Sequence, residues 1–279
     1  MRRLNLIRNH LSSKKSLSSL KSDLVQIESY SDKIKIVRLT NYSKFNALSD
    51  ALLEQLYEAL LILERDDNTK VIILTGNDKV FCAGADISTL SNNTYSSILK
   101  YDFLQYIERI SYEISKPVIA AVSGLCFGGG FELALTCDII GTTKTTKFGF
   151  PEIKLGLFPG AGGTQRLTRF CGPYKASEMI FTGDTYDADI MNKLNVVNYV
   201  FPNYETLMNH TLILAEKISN YSIIALKTAK KSIKTSNETT LRQGLETERS
   251  IFYGLLSTED KKIGTEAFIK KNKPSFVDK

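Results

Sequence analysis

KPVIAAVSGLCFGGGFELALTCD, residues 116–138, is the stretch whose reading decides the fold. Residues 118–122 form an unbroken apolar run, short and rich enough in β-branched side chains to predict a buried strand rather than part of a helix. Ser123 and Gly124 end that run, and Gly128, Gly129 and Gly130 lead into the helix formers Glu132, Leu133, Ala134 and Leu135. Between Lys116 and Asp138 the only charged side chain is Glu132. A carboxylate in apolar surroundings is costly unless it is hydrogen-bonded or used. The glycines admit two readings. Without Cβ atoms they let another molecule reach the first free N–H groups of a helix, which makes an oxyanion site, or they let that helix pack closely on its neighbour.

Working outward, residues 24–28 and 34–39 alternate as paired strands around a turn at Ser31 and Asp32. Apolar residues then recur at Leu48, Leu52, Leu56, Leu60 and Leu63, which predicts an amphipathic helix over 47–65. A buried strand is expected at 71–74, a loop carrying FCAGAD at 81–86, a second helix at 95–115, and strands at 139–143 and 147–149. Residues 151–169, PEIKLGLFPGAGGTQRLTR, read as a glycine- and proline-rich loop in which Glu152 is the only acid. From Tyr174 onward the pattern is mostly helical, with a strand at 196–201 and long helices at 204–219, 223–235, 239–256 and 260–271. Strands alternating with helices give an α/β core, and the helical tail an assembly surface or second subdomain.

Composition bounds the function. A chain of 279 residues with 43% hydrophobic and 24% charged residues can bury one large core. Its apolar runs fall short of the ~20 residues needed to span a bilayer, so no membrane insertion is expected. The net charge of +6 is carried by Arg2, Arg3, Arg8, Lys14, Lys15 and Lys21, ahead of the first acid at Asp23. The remainder is neutral in balance and gives no reason to expect nucleic acid as a partner. A Ser-, Leu-, Lys- and Arg-rich opening with Leu4, Ile7 and Leu11 on one helical face has the profile of a mitochondrial transit peptide over residues 1–22; a basic tail without an import role is the plainer reading. Cys82, Cys126, Cys137 and Cys171 lack paired zinc spacing and read as small buried residues in a reducing compartment. With only His10 and His210 in the chain, a histidine-based triad has little to stand on.

Three segments in order, FCAGADI at 81–87, GGGFELAL at 128–135 and FGFPEIKLGLFPGAGGTQRL at 148–167, resemble the crotonase superfamily, and enoyl-CoA hydratases most closely. The resemblance runs from about Leu24 to the end of the chain. It implies an α/β crotonase-like spiral of ββα units over residues 23–200, with a helical C-terminal region for trimerisation over 201–279. It implies that Ala85 and Gly129 offer the two N–H groups of an oxyanion hole for the thioester oxygen, each such donor worth on the order of 3–4 kcal/mol. Glu132 and Glu152 match the family's catalytic carboxylates, the first usually assigned to the water and the second to the C2 proton. Ala83, Ala85, Asp86, Ile87, Ser88 and Gly129 match positions that bind the CoA thioester. Ser88 stands where close relatives often carry lysine, a departure that bears on a charge contact with CoA and not on the chemistry. No metal or redox cofactor is implied, since CoA belongs to the substrate. The implied partners are an acyl-CoA and further copies of the chain, as a homotrimer or hexamer, in the mitochondrial matrix.

Rival readings are an isomerase, which usually keeps only the carboxylate matching Glu152; a hydratase for branched, carboxylated substrates such as methylglutaconyl-CoA; and an inactive scaffold. One branch of the methylglutaconyl group binds RNA through a lysine-rich helix, and the matching residues 49–67 here contain no lysine. Both glutamates and both oxyanion positions are present, which favours hydration.

Overall fold

The computed structural model describes residues 23–87 and 104–279. The leader expected at 1–22, Ser88 and the first part of the helix expected at 95–115 lie outside the described residues. Val25–Ser29 (β1) and Ile34–Leu39 (β2) form the antiparallel pair that the alternation predicts. From there the chain spirals, and each turn lays one strand in each of two sheets. The successive pairs are Val71–Thr75 (β3) and Val80–Cys82 (β4), Val118–Val122 (β5) and Leu125–Phe127 (β6), then Ile139–Thr143 (β7) and Lys147–Gly149 (β8). The first member of each pair enters a six-stranded sheet, parallel beyond β1, in the order β1-β2-β3-β5-β7. The second enters a four-stranded sheet, β4-β6-β8, closed by the antiparallel Thr185–Asp187 (β9). Tyr199–Phe201 (β10) completes the larger sheet beside β7.

Helices between the strands are Asp50–Arg65 (α1), Gln105–Glu113 (α2), Gly129–Ala134 (α3), Gly163–Cys171 (α4), Pro173–Thr182 (α5) and Ala188–Lys193 (α6). The first of these starts three residues later than its apolar period implies. Ser49 caps it, accepting from the Leu52 N–H at 3.3 Å, and Leu48 is diverted to a bridge with Ala85. Leu52, Leu53, Leu56, Leu60 and Leu63 are buried along its inner face.

Alternation along the central strands feeds two cores. Ile72, Leu74, Val118, Ala120 and Val122 face the main core under α1, while Val71, Ile73, Ile119 and Ala121 face a second one covered by Tyr204–Ser219 (α7) through Leu207 and Ala215. A sheet covered on both faces explains why β5 reads as a continuous apolar run. The core therefore extends past residue 200, and α7 belongs to it rather than to a separate tail. Ile223–Thr235 (α8), Leu241–Leu255 (α9) and Glu259–Ile269 (α10) differ. The only residues buried in them are Lys230 in α8 and Asp260 in α10.

Several local expectations need correction. Phe81 and Cys82, expected in a loop, belong to strand β4, and β6 and β9 have no counterpart among the expected elements. Three-residue strands are too short to show a period; they form because the spiral lays them side by side. The expected loop 151–169 contains a 3-10 turn at Pro151–Leu155 and most of α4. The strand expected at 196–201 keeps only its last three residues, because Val196 and Val197 turn into the core. Cys82 and Cys126 are buried, whereas Cys137 and Cys171 are half-buried, and all four are free thiols.

Candidate active site

The two readings of the triple glycine both hold, at different positions. Gly128 joins β6 to α3 at φ 50° and ψ −128°, a conformation that only glycine adopts readily, and donates to the Gly149 carbonyl at 2.9 Å. Gly130 is the packing glycine, since a Cβ there would lie 2.3 Å from the Cys82 carbonyl oxygen. Gly129 opens α3, so its N–H has no partner within the helix.

Ala85 is placed by its neighbours. Leu48 donates to the Gly84 carbonyl at 2.8 Å and accepts from the Asp86 N–H at 3.1 Å, which turns the Ala85 N–H to the opposite side. That side is the one Gly129 occupies, for a Cβ on Gly129 would sit 3.6 Å from the Ala85 nitrogen and 4.0 Å from Glu132 Oε2. Among the described residues neither N–H has an acceptor. Ala83 is held beside them by its N–H to the Phe45 carbonyl, Asp86 pairs with Lys44 at 3.3 Å, and Ile87 is exposed on the rim.

The two carboxylates meet here from different turns of the spiral. Glu132 is only 3% exposed, and one of its oxygens, Oε1, accepts from the Ala161 and Gly163 N–H groups, each at 2.7 Å. Burial pushes its carboxyl above the usual range, against the pull of those two N–H groups and the Arg166 guanidinium. Glu152 reaches in from the 3-10 turn to the other side of the glycines: a Cβ on Gly128 would lie 2.6 Å from its Oε1. Its buried Oε2 has no hydrogen-bond partner among the described residues. Burial, with the charge of Glu132 added, pushes the Glu152 carboxyl up to about 7. Phe131 stacks on Phe150 at 4.9 Å and tilts against Phe148 at 5.1 Å, a buried aromatic cluster close in sequence to the two glutamates.

Ala85, Gly129, Glu132 and Glu152 thus come together from three separate segments, the loop after β4, α3 and the 3-10 turn. Sequence reasoning missed the Ala161 and Gly163 amides that anchor Glu132, and Arg166 behind them. The available signal was the glycine run 160–163 ahead of a helix, which exposes backbone N–H groups to a carboxylate with no charged partner in its own segment.

Two amides without an acceptor among the described residues, beside one buried and one half-buried carboxylate, define a site for acid–base chemistry on a carbonyl compound whose oxygen gains negative charge. The comparisons place the chain within that class. The family model for enoyl-CoA hydratase/isomerase matches residues 29–279. A mitochondrial enoyl-CoA hydratase from Pongo abelii is 42% identical over 88% of this chain and 84% of its own length. The 2,3-dehydroadipyl-CoA hydratase of Escherichia coli is 38% identical over 90% of this chain and 97% of its own. Among solved structures, an enoyl-CoA hydratase subunit I from Geobacillus kaustophilus superposes with a TM-score of 0.89 at 36% identity, covering 93% of this chain and all of that one. The chain belongs to the enoyl-CoA hydratase/isomerase family and has the crotonase fold.

Proposed function

We propose that this protein is an enoyl-CoA hydratase, adding water reversibly across the C2=C3 bond of a trans-2-enoyl-CoA to give a 3-hydroxyacyl-CoA. The observation that carries the reading is the unlike surroundings of the two glutamates. Glu132 holds two N–H groups on one oxygen, which favours its ionised form against the opposing effect of burial, and we assign it the proton of the water that attacks C3. Glu152, pushed up to about 7, is still protonated in a large share of molecules at neutral pH and gives that proton to C2. The Ala85 and Gly129 N–H groups receive the thioester oxygen as it becomes enolate-like between these steps. The proton gained by Glu132 then replaces the one lost by Glu152, and the site is reset. Leu155, Leu157 and Phe158 stand exposed on the segment that follows Glu152, apolar surface that we assign to the acyl chain.

The test is loss of the conjugated-thioester ultraviolet absorbance across a panel of enoyl-CoA thioesters, including methylglutaconyl-CoA and 2,3-dehydroadipyl-CoA arms. No loss with any acyl chain would sink the reading, whereas a preference for a carboxylated arm would redirect it. An isomerase needs only one carboxylate, and two are present here. The pH profile gives a second check. A general acid is active only while protonated, so kcat/KM for hydration should fall as pH rises through about 7, the value to which Glu152 is raised. A flat profile from pH 6 to 9 would remove Glu152 from that role.

A role in mitochondrial β-oxidation is supported by the acid-free basic leader and by relatives named as mitochondrial, from Pongo abelii and Dictyostelium discoideum. Mass spectrometry of the protein from isolated mitochondria should find its N-terminus between about Ser16 and Leu24; an intact Met1 on most of it would overturn import with cleavage.

Assembly into a trimer, or a pair of trimers, is supported by the C-terminal helices. They are fastened to the core by polar contacts, including Lys227 to Glu64 at 2.8 Å and Lys230 to Asp138 at 2.6 Å, while Phe252, Leu256, Phe268 and Ile269 stand exposed. Apolar faces of this kind are covered in assemblies. Phe252→Asp combined with Phe268→Asp should give monomers by light scattering, and an unchanged mass would place the contacts elsewhere.

A further inference from the structure

We propose that Arg166 is a positioning residue for hydration, clamping the turn at 161–163 so that its two N–H groups hold Glu132 ready to take the proton of water. The proposal rests on the hydratase reading and names a residue that the reading does not use. Arg166 lies in the first turn of α4, and its Nη1 donates to the Ala161 carbonyl at 2.8 Å. The N–H of that same Ala161, with that of Gly163, donates to Glu132 Oε1 at 2.7 Å. One peptide unit on either side of Ala161 is therefore pinned, the carbonyl by the guanidinium and the amide by the carboxylate. Gly162, between the two donors, has φ 106°, and a Cβ there would lie 2.0 Å from Nη1. The guanidinium thus lies against the turn itself, in space that only a glycine leaves open.

Charge works in the same direction. A guanidinium stays protonated at any physiological pH, and this one favours the ionised Glu132 against burial. The charge of Glu132 in turn raises the Glu152 carboxyl. Around Arg166 itself stand Tyr112 and Glu108 of α2, Lys234 of α8 and Glu238 beyond it, so the guanidinium is partly balanced by acids on its outer side. Burying a cation this far costs free energy that an apolar side chain would avoid. What it gains here is a fixed carbonyl and a charge directed at one carboxylate.

The clamp serves one half-reaction. Hydration needs Glu132 as base, whereas exchange of the C2 proton of a saturated acyl-CoA needs only Glu152 and the two amides. Arg166→Gln should lower kcat for hydration by about 10²-fold, the scale of a misplaced catalytic group. KM should stay near its starting value, and the acid limb of the kcat profile should move to higher pH, because Glu132 loses its neighbouring charge. Deuterium exchange at C2, followed by NMR, should keep the wild-type rate, and Arg166→Lys should recover part of the hydration. Parallel loss of hydration and exchange with an unmoved acid limb, or no loss of either, would overturn the proposal. If the glutamine variant does not fold, Arg166→Lys carries the same comparison: a charge retained but a guanidinium lost must lower hydration more than exchange. Failure of the hydratase reading looks different, since the unaltered protein would then hydrate none of the thioesters.

Discussion

Glu152→Gln should reduce hydration by roughly 10²–10⁴ while leaving substrate binding little changed, and the same substitution should make the protein more stable above neutral pH. Both effects come from one buried oxygen. Glu152 Oε2 has no partner among the described residues, and the carboxyl is raised from 4.5 to about 7 by burial and by Glu132. Glutamine keeps the shape of the side chain but has no acidic proton for C2, so turnover falls. Stability follows from the raised folded value. The contribution of such a group is fully present below its unfolded pKa and is lost as pH rises through its folded one, here between about 4.5 and about 7. At pH 8 the ionised Glu152 therefore costs the fold on the order of 1–2 kcal/mol after allowance for solvent screening of a half-buried group. Glutamine removes that cost, and the melting temperature should rise by roughly 2–4 °C per kcal/mol for a chain of this size. At pH 4, below the unfolded value, the two proteins should melt together. A variant that melts lower than the parent at pH 8 would show that the carboxylate is stabilised by something other than these surroundings.

Glu132→Gln should lose hydration to a similar degree but keep C2 exchange, and Glu152→Gln should lose both. If the two glutamates act on one water as a unit, the double variant should be hardly worse than either single one. The reverse pattern of exchange would exchange their roles.

Gly128→Ala should be the more damaging change of backbone. At φ 50° and ψ −128° an alanine is strained by about 1–3 kcal/mol wherever it sits, but here the added Cβ would also lie 2.6 Å from Glu152 Oε1. The carboxylate is the far end of a flexible side chain and can move, so the protein should still fold. What it should lose is the position of the acid, with kcat down by at least about 10²-fold and C2 exchange lost with it. Gly172→Ala is the matched control. Gly172 also has positive φ, at 79°, yet nothing lies within 4 Å of its Cβ position. It should lose stability by a similar amount and keep its turnover. Equal activity losses in the two variants would mean that backbone strain alone, and not displacement of Glu152, explains the Gly128 result.

The long elements were legible in the sequence because each carries its own period. The α1 leucines, the β5 run and helices α7 and α8 fall where apolar spacing places them. So were the four central site residues, though the motifs that marked Ala85, Gly129, Glu132 and Glu152 did so by resemblance to a family, and composition and spacing alone left the triple glycine with two readings. The short strands β4, β6, β8 and β9 are another matter. Of these only β8 was expected, because a three-residue strand is stable only through neighbours that the spiral supplies from distant turns.

Local pattern thus determined the α/β class, the buried strand that enters the site, and the isolation of Glu132 in an apolar segment. Tertiary structure alone decided how that isolated charge is satisfied. Its partners are backbone amides of Ala161 and Gly163, which every residue type but proline possesses and no side-chain code announces. It also decided which glutamate has a buried oxygen without a partner among the described residues. Whether a carboxylate holds its proton depends on what surrounds it in space, and the groups around Glu152 come from turns of the spiral that are remote from it in the chain.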